Sequence, residues 1–259
     1  MAVSKDLISV VITTYNASLT IVNVVNSLLL ASEFIAEIIM VDDKSTDGTL
    51  EIVKTNFPGV KIIAKEENSG GPAGPRNIGL NASRCDYVMF CDSDDLVSYE
   101  YIKLAVSKIS SGEFAVFSGL RQNITDHSEF GMMLKFRRQS ISRISYQSLS
   151  LKDRVTLSGS LVNRNELHHS FNEDVRLHGV EDYLFFLQNA KSGVKIGRLN
   201  SRVIGYLISE TNISKNKFKR INKFILLNRI NDRYIITSIL FTMTHYLIAL
   251  LERVFNRYY

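Results

Sequence analysis

Apolar positions in the first 119 residues of this 259-residue chain fall into two alternating periods. Short, continuous, β-branched runs occur at "LISVVI" (7–12), "EIIMV" (37–41), "VKIIA" (60–64), "DYVMFC" (86–91) and "FAVFSG" (114–119). Runs of this length and make-up suit strands buried on both faces. Between them, apolar residues recur at helical spacing. "SLTIVNVVNSLLLAS" (18–32) predicts a helix with Ser18 as its N-cap, and "STDGTLEIVKTNF" (45–57) a turn and helix stopped by Pro58-Gly59. "NSGGPAGPRNIGLNAS" (68–83) reads as a Gly/Pro loop feeding a helix, and "YEYIKLAVSKISSG" (99–112) as a further helix. Strand–helix alternation with short links predicts an α/β fold: a Rossmann-like, mainly parallel twisted sheet flanked by helices on both faces.

After Gly119 the pattern loosens. Residues 120–178 are polar and rich in Ser and Arg. "EDYLFFLQNAKSG" (181–193) then predicts a helix with a Gly stop, and "KIGRL" and "RVIGYLI" two short strands. The expected organisation is one domain over 1–210, with halves at 1–119 and 120–210, followed by a C-terminal helical extension over 211–259.

Ligands of open α/β sheets sit beyond the carboxyl ends of the strands. Three predicted strands end in polar clusters: Thr13-Thr14-Tyr15-Asn16, Asp42-Asp43-Lys44-Ser45 and Asp92-Ser93-Asp94-Asp95. In a parallel sheet all three share one edge. The last cluster places three carboxylates within four positions, where they repel each other and resist desolvation. Two readings follow: a divalent cation bound through hard oxygen ligands, or a solvated turn with an acidic helix start. The loop "NSGGPAGPRNIG" matches neither the P-loop nor the dinucleotide fingerprint. It leaves Arg76 as either an anion contact near a helix start or a surface arginine.

Composition narrows the class. Hydrophobic residues make up 45% and charged residues 22%, which supports a real core. The two cysteines, Cys85 and Cys91, have no metal-site spacing and exclude a disulfide framework, so a reducing compartment is expected. The N-terminus lacks a signal-peptide layout, so the chain reads as cytoplasmic. The net charge of +5 is concentrated: residues 215–233 carry seven basic side chains against Asp232 alone.

"SVVITTYN", "IIMVDDKSTDGT", "NSGGPAGPRNIGL" and "YVMFCDSDDL" together resemble, in order and spacing, the family 2 glycosyltransferases of the GT-A fold. The resemblance covers about residues 7–120 and extends more faintly through "VEDYLFFLQ". It implies an inverting, metal-dependent transfer of a sugar from a UDP-sugar to an acceptor hydroxyl. Thr13 and Tyr15 would line the nucleotide pocket, and Asp43 would hydrogen-bond the uracil. Arg76 would approach the nucleotide-sugar. Asp92 and Asp94 would form the DxD pair around Ser93, which is grouped with the nucleotide contacts. Asp94 would ligate Mn²⁺ or Mg²⁺, and Asp92 would contact the ribose or the metal's waters. Asp182 would be the general base. Asp95 would cap the next helix. Ser158, Gly159 and Ser160 would lie where such enzymes contact the acceptor. His168, His169 and His178 have no defined partner. The QxxRW motif of processive synthases is absent and the chain contains no tryptophan, which favours single addition over polymerisation. A sugar-1-phosphate nucleotidyltransferase would carry a Gly-rich basic loop after the first strand, where this chain has "TTYNASLT". A catalytically silent nucleotide-binding scaffold is the non-enzymatic rival.

The tail matches no nucleic-acid recognition module, so no nucleic acid partner is expected. "KNKFKRINKFILLNRINDR" interleaves basic and apolar residues, and residues 234–251 form an 18-residue stretch without formal charge. Three readings compete: an in-plane helix on an anionic membrane surface, a helix pair packed on the catalytic domain or a homodimer mate, and a true span. The first suits a lipid-linked saccharide acceptor, with the protein peripheral on the inner face of the cytoplasmic membrane. Family analogy points to polyprenyl diphosphate acceptors in surface polysaccharide assembly.

Overall fold

The computed structural model describes residues 7–132, 140–208 and 217–231, with single positions of the tail between 237 and 251. Its strands are β1 (Ile8–Thr14), β2 (Ile35–Asp42), β3 (Lys61–Ala64), β4 (Tyr87–Asp92), β5 (Asp95–Val97), β6 (Val116–Ile124), β7 (Ile141–Ile144), β8 (Leu161–Asn163) and β9 (Ile196–Leu207). All join one sheet in the order β3-β2-β1-β4-β8-β6-β9-β5, with β7 also paired to β9. Every residue of β1 is buried, as its unbroken apolar run requires of a strand in the sheet's interior.

The expected parallel order holds across β3-β2-β1-β4 and for β6 beside β9. The short strands β5, β7 and β8 pair antiparallel. The two expected strands near residue 200 are one strand, β9, whose register against β6 shifts between Ser118 and Arg121. Its polar stretch Asn200-Ser201-Arg202 sits at this irregularity and interrupts the apolar pattern without ending the strand.

Helices α1 (Ile21–Leu29), α2 (Thr49–Asn56) and α4 (Tyr99–Ser110) cover one face. Helices α3 (Ala73–Ala82), α5 (Tyr146–Leu151), α6 (Glu181–Lys191) and α7 (Lys217–Ile230) cover the other. Alternate β1 residues serve the two cores: Val10 and Ile12 face α1 and α4, Val11 faces α3. Helix α3 passes so close to β1 that a Cβ on Gly79 would lie 2.2 Å from Val11 Cγ1.

Two local expectations change. Ser18 does not cap α1, whose N-cap is Thr20; the Ser18 backbone N–H donates to Asp47 Oδ2 at 2.9 Å instead. Asp95 does not cap α4, because it lies in β5; Ser98 caps, its Oγ accepting from the Tyr101 N–H at 3.2 Å.

Of the three readings of the tail, packing on the catalytic domain describes α7. Phe224 and Leu227 are buried against α6, and the Phe224 ring lies 5.7 Å from that of Tyr183. Asn228 Nδ2 donates to Thr242 Oγ1 at 3.3 Å, which joins α7 to the helical residues beyond it. Among the described residues no helix is long and apolar enough to cross a membrane.

Candidate active site

The parallel pairing of β1 with β2 and β4 puts the three polar clusters on one edge. Thr13 stands opposite Asp92 on one side, and Thr14 opposite Asp42 on the other. Thr13 is buried, whereas Tyr15 beyond it is 55% exposed. The loops that follow β1 and β2 are tied to each other. The Asn16 N–H donates to Ser45 Oγ at 2.9 Å, the Thr46 N–H to Asn16 Oδ1 at 2.8 Å, and the Ala17 N–H to Thr49 Oγ1 at 2.9 Å. Asn16 adopts φ +51°, a left-handed conformation that asparagine tolerates better than most residues.

Asp43 lies buried under the Gly-rich loop. Its Oδ1 accepts from Lys65 Nζ at 2.7 Å and from the Ser69 N–H at 2.9 Å, and its Oδ2 from the same N–H at 3.0 Å. Asn68 Nδ2 donates to its carbonyl at 2.7 Å. A carboxylate has about four lone-pair sites, so Oδ2 retains one beyond its bond to the Ser69 N–H.

The acidic turn is braced from three sides. Thr20 Oγ1 donates to the Ser93 carbonyl at 2.7 Å. His127, in a 3₁₀ turn (His127–Met132), has Nε2 at 3.0 Å from the Asp94 carbonyl and Nδ1 at 3.0 Å from Asn23 Nδ2. An amide N–H must donate to Nδ1, so the pairing calls for the neutral tautomer with Nε2–H. The Asp92 N–H donates to Ser158 Oγ at 3.1 Å. Burial, and then the charge of Asp92, push Asp94 up to about 6. Asp95, 2% exposed, is also raised well above the usual carboxylate range, by burial and then by both neighbouring carboxylates, and its Oδ1 has no hydrogen-bond partner. A crowded carboxylate group with an orphaned oxygen is the donor set a divalent cation satisfies. Among the described residues no three His, Cys, Asp or Glu side chains enclose a metal position.

Arg76 is not a surface arginine. It is 4% exposed, and it bridges Asp92 Oδ1 (3.0 Å from Nη2) and Glu181 Oε1 (2.8 Å from Nη1). Burial alone would weaken its charge, but Asp92, Glu181 and Asp182 together hold it protonated. Burial opposes ionisation of Glu181 as well; Arg76 outweighs it and holds the carboxylate below its usual range. The guanidinium thereby joins the end of β4 to the start of α6, and Glu181 lies 105 residues from Arg76 in the chain. The next residue, Asp182, goes the other way: burial, Glu181 and Asp153 push it up to about 7. It lies in the first turn of α6, with its Oδ1 accepting the Tyr183 N–H at 2.7 Å. Two adjacent carboxyls are thus driven apart, one held ionised and one poised near neutrality, as acid–base chemistry requires.

A cleft of about 160 Å³ opens between the Gly-rich loop and residues 172–178, with Glu181 at its base. His178 lines it, against Gly71. His168 and His169 lie elsewhere, the latter hydrogen-bonded to Ser192 Oγ at 2.9 Å. Ser158, Gly159 and Ser160 do not form an acceptor surface. Ser158 and Ser160 are buried, and the segment braces β4: the Gly159 N–H donates to the Phe90 carbonyl at 2.7 Å, and the Phe90 N–H to that of Ser160 at 3.0 Å. Thr20, Asn23, His127, Lys65 and Asp153 carried no sequence signal, because each reaches the site only through tertiary packing.

Fold and site together join a Rossmann-like half whose strands end in carboxylates to a mixed half that carries Glu181 and Asp182. The family model for glycosyl transferase family 2 matches residues 9–164, and the chain belongs to that family. It is 28% identical over 240 residues to the Staphylococcus aureus poly(ribitol-phosphate) beta-N-acetylglucosaminyltransferase TarS, covering 86% of this chain and 40% of that protein. It is 25% identical over 228 residues to the Escherichia coli UDP-Glc:alpha-D-GlcNAc-diphosphoundecaprenol beta-1,3-glucosyltransferase WfaP, covering 83% of each. The crystal structure of S. aureus TarS 1-349 in complex with UDP-GlcNAc superposes with a TM-score of 0.66 at 24% identity, over 85% of this chain and 65% of that one. At that identity the superposition speaks for the fold.

Proposed function

We propose that the protein is an inverting glycosyltransferase that moves a hexosyl group from a UDP-sugar to a hydroxyl of a phosphate-bearing glycan acceptor. The observation that carries this reading is the Asp92–Arg76–Glu181–Asp182 array, which sets a poised carboxyl beside the acidic turn. The uracil is read by the free lone pair of Asp43 Oδ2, with Thr13 and Tyr15 lining its pocket and Ser93 near the diphosphate. Asp94 and Asp92 would hold Mn²⁺ or Mg²⁺, which would neutralise the diphosphate of the leaving group. Asp182 takes the proton of the acceptor hydroxyl as that oxygen attacks the anomeric carbon and the bond to UDP breaks. The names of TarS and WfaP both specify acceptors that carry phosphate, a poly(ribitol-phosphate) and a GlcNAc-diphosphoundecaprenol.

The acceptor is taken to be lipid-linked, as for WfaP, and the tail to rest on an anionic membrane surface. What supports this is a stripe on the helical tail. Leu240, Met243, Leu247 and Leu251 recur at helical spacing and are 46–64% exposed, next in the chain to the basic run. Vesicle sedimentation tests it: pelleting with anionic vesicles and failing to pellet with neutral ones is the expected result.

Calorimetric titration of UDP into wild type and Asp94→Ala, with and without Mn²⁺, tests the site. Binding that needs the metal in wild type and loses that dependence in the variant is expected. Binding indifferent to both would return the acidic cluster to a structural turn.

A further inference from the structure

The segment joining α5 to Ser158 carries a feature that the transfer chemistry does not use. Asp153 lies close enough to Asp182 to raise its pKa. The next residue, Arg154, is half-buried, and its Nε is enclosed without a hydrogen-bond partner. The guanidinium of Arg198, from β9, reaches the same place: Nη1 donates to the Arg154 carbonyl at 3.3 Å. Nε and Nη2 of Arg198 go to Asn200 Oδ1 at 3.1 and 2.9 Å. All these acceptors are neutral, and among the described residues neither guanidinium has a carboxylate partner. Burial and then the like charge of Arg154 both lower the Arg198 pKa. Two of the five N–H groups of Arg198 remain unused. Ser142 and Ser140 extend this polar surface along β7 through Asn200 Nδ2, at 2.8 and 3.3 Å.

Folding two arginines together without an acid is costly, and an anion between them relieves both the repulsion and the orphaned Nε. We propose that Arg154 and Arg198 form a binding site for a phosphate group of the acceptor, next in the chain to Asp153, whose charge reaches Asp182. This rests on reading Asp182 as the base of a glycosyltransferase. In that setting the pair acts on position: it fixes a charged point of the acceptor so that the attacking hydroxyl reaches Asp182. The phosphate belongs either to a diphosphate linking sugar to lipid or to a polyol-phosphate chain.

The test uses the full chain and inorganic pyrophosphate as probe, titrated calorimetrically in EDTA. R198Q and R154Q are expected to weaken pyrophosphate binding roughly tenfold or more, the scale of a hydrogen bond to a charged group. R198K, which keeps the charge and folds with less change in volume, is expected to retain most of it. Equal binding by wild type and the double glutamine variant would overturn the site. UDP titrated into the same samples reads the donor pocket separately. A chain that takes pyrophosphate through Arg198 but no UDP keeps this site and loses the glycosyltransferase reading. Transfer assays then separate the sources. In R198Q the KM is expected to rise for a short-chain glycosyl diphospholipid or for a polyol-phosphate oligomer, whichever the enzyme uses. It is expected to hold for a neutral alkyl glycoside; an equal rise with the neutral acceptor would show a general packing defect and sink the proposal.

Discussion

The decisive residues work in opposed pairs. Glu181 and Asp182 are neighbours, yet Arg76 takes the first and leaves the second to its burial. A base acts when deprotonated, so transfer should rise with pH through about 7 and then level. The stability sign is the reverse. Unfolded, Asp182 loses its proton near 3.8, and folded, near 7, so between those values the folded state holds more protons. Its contribution to stability therefore falls as pH rises from about 4 to about 7. Asp182→Asn is expected to cut transfer by a factor of about 10²–10⁴ while raising the urea midpoint at neutral pH. Both falling together would remove Asp182 from the reacting centre. Arg76→Met should do more harm, because it strands Asp92 and Glu181 without their cation. A loss of roughly 3–5 kcal/mol is expected in urea unfolding at pH 7, shrinking in acid as the carboxylates protonate. Asp182 was reached only through the family resemblance, whereas the strand-end cluster that holds Asp92 and Asp94 was legible in the sequence. The grip of Arg76 on Glu181 was not, since nothing local links residues 105 apart.

At the scale of elements, legibility followed length and regularity. The strands β1, β2 and β4 and the helices α4 and α6 show their period over enough residues to be read directly. Strands β5, β7 and β8 span three or four residues, too few to show any period, and they exist because β9 and β4 offer partners. Helix α3 is set by proximity, and its glycine is the test. Gly79→Ala forces a methyl into Val11 and should cost roughly 1–3 kcal/mol, read as a lower thermal midpoint with the fold retained. A neutral result would mean that α3 floats free of β1, and with it the Gly-rich loop at its head.

For the whole molecule, the sheet is one continuous body, and α7 is part of its cover. Phe224→Ala opens a cavity between α6 and α7 and should lower stability by roughly 3–5 kcal/mol, measured by urea unfolding of the full chain. A change below about 1 kcal/mol would detach the tail from the fold energetically. The two halves differ in how far along the chain their partners lie. Strands β1 to β4 find each other within the first 92 residues. The acidic turn does not: β5 pairs only with β9, Asp95 opposite Tyr206. On a ribosome, where chains grow from the N-terminus, strands β1 to β4 can therefore pair early, while β5 waits for its partner until more than a hundred further residues have emerged. A nascent chain stalled short of β9 thus holds Asp92 in place opposite Thr13 and leaves Asp95 without its partner strand.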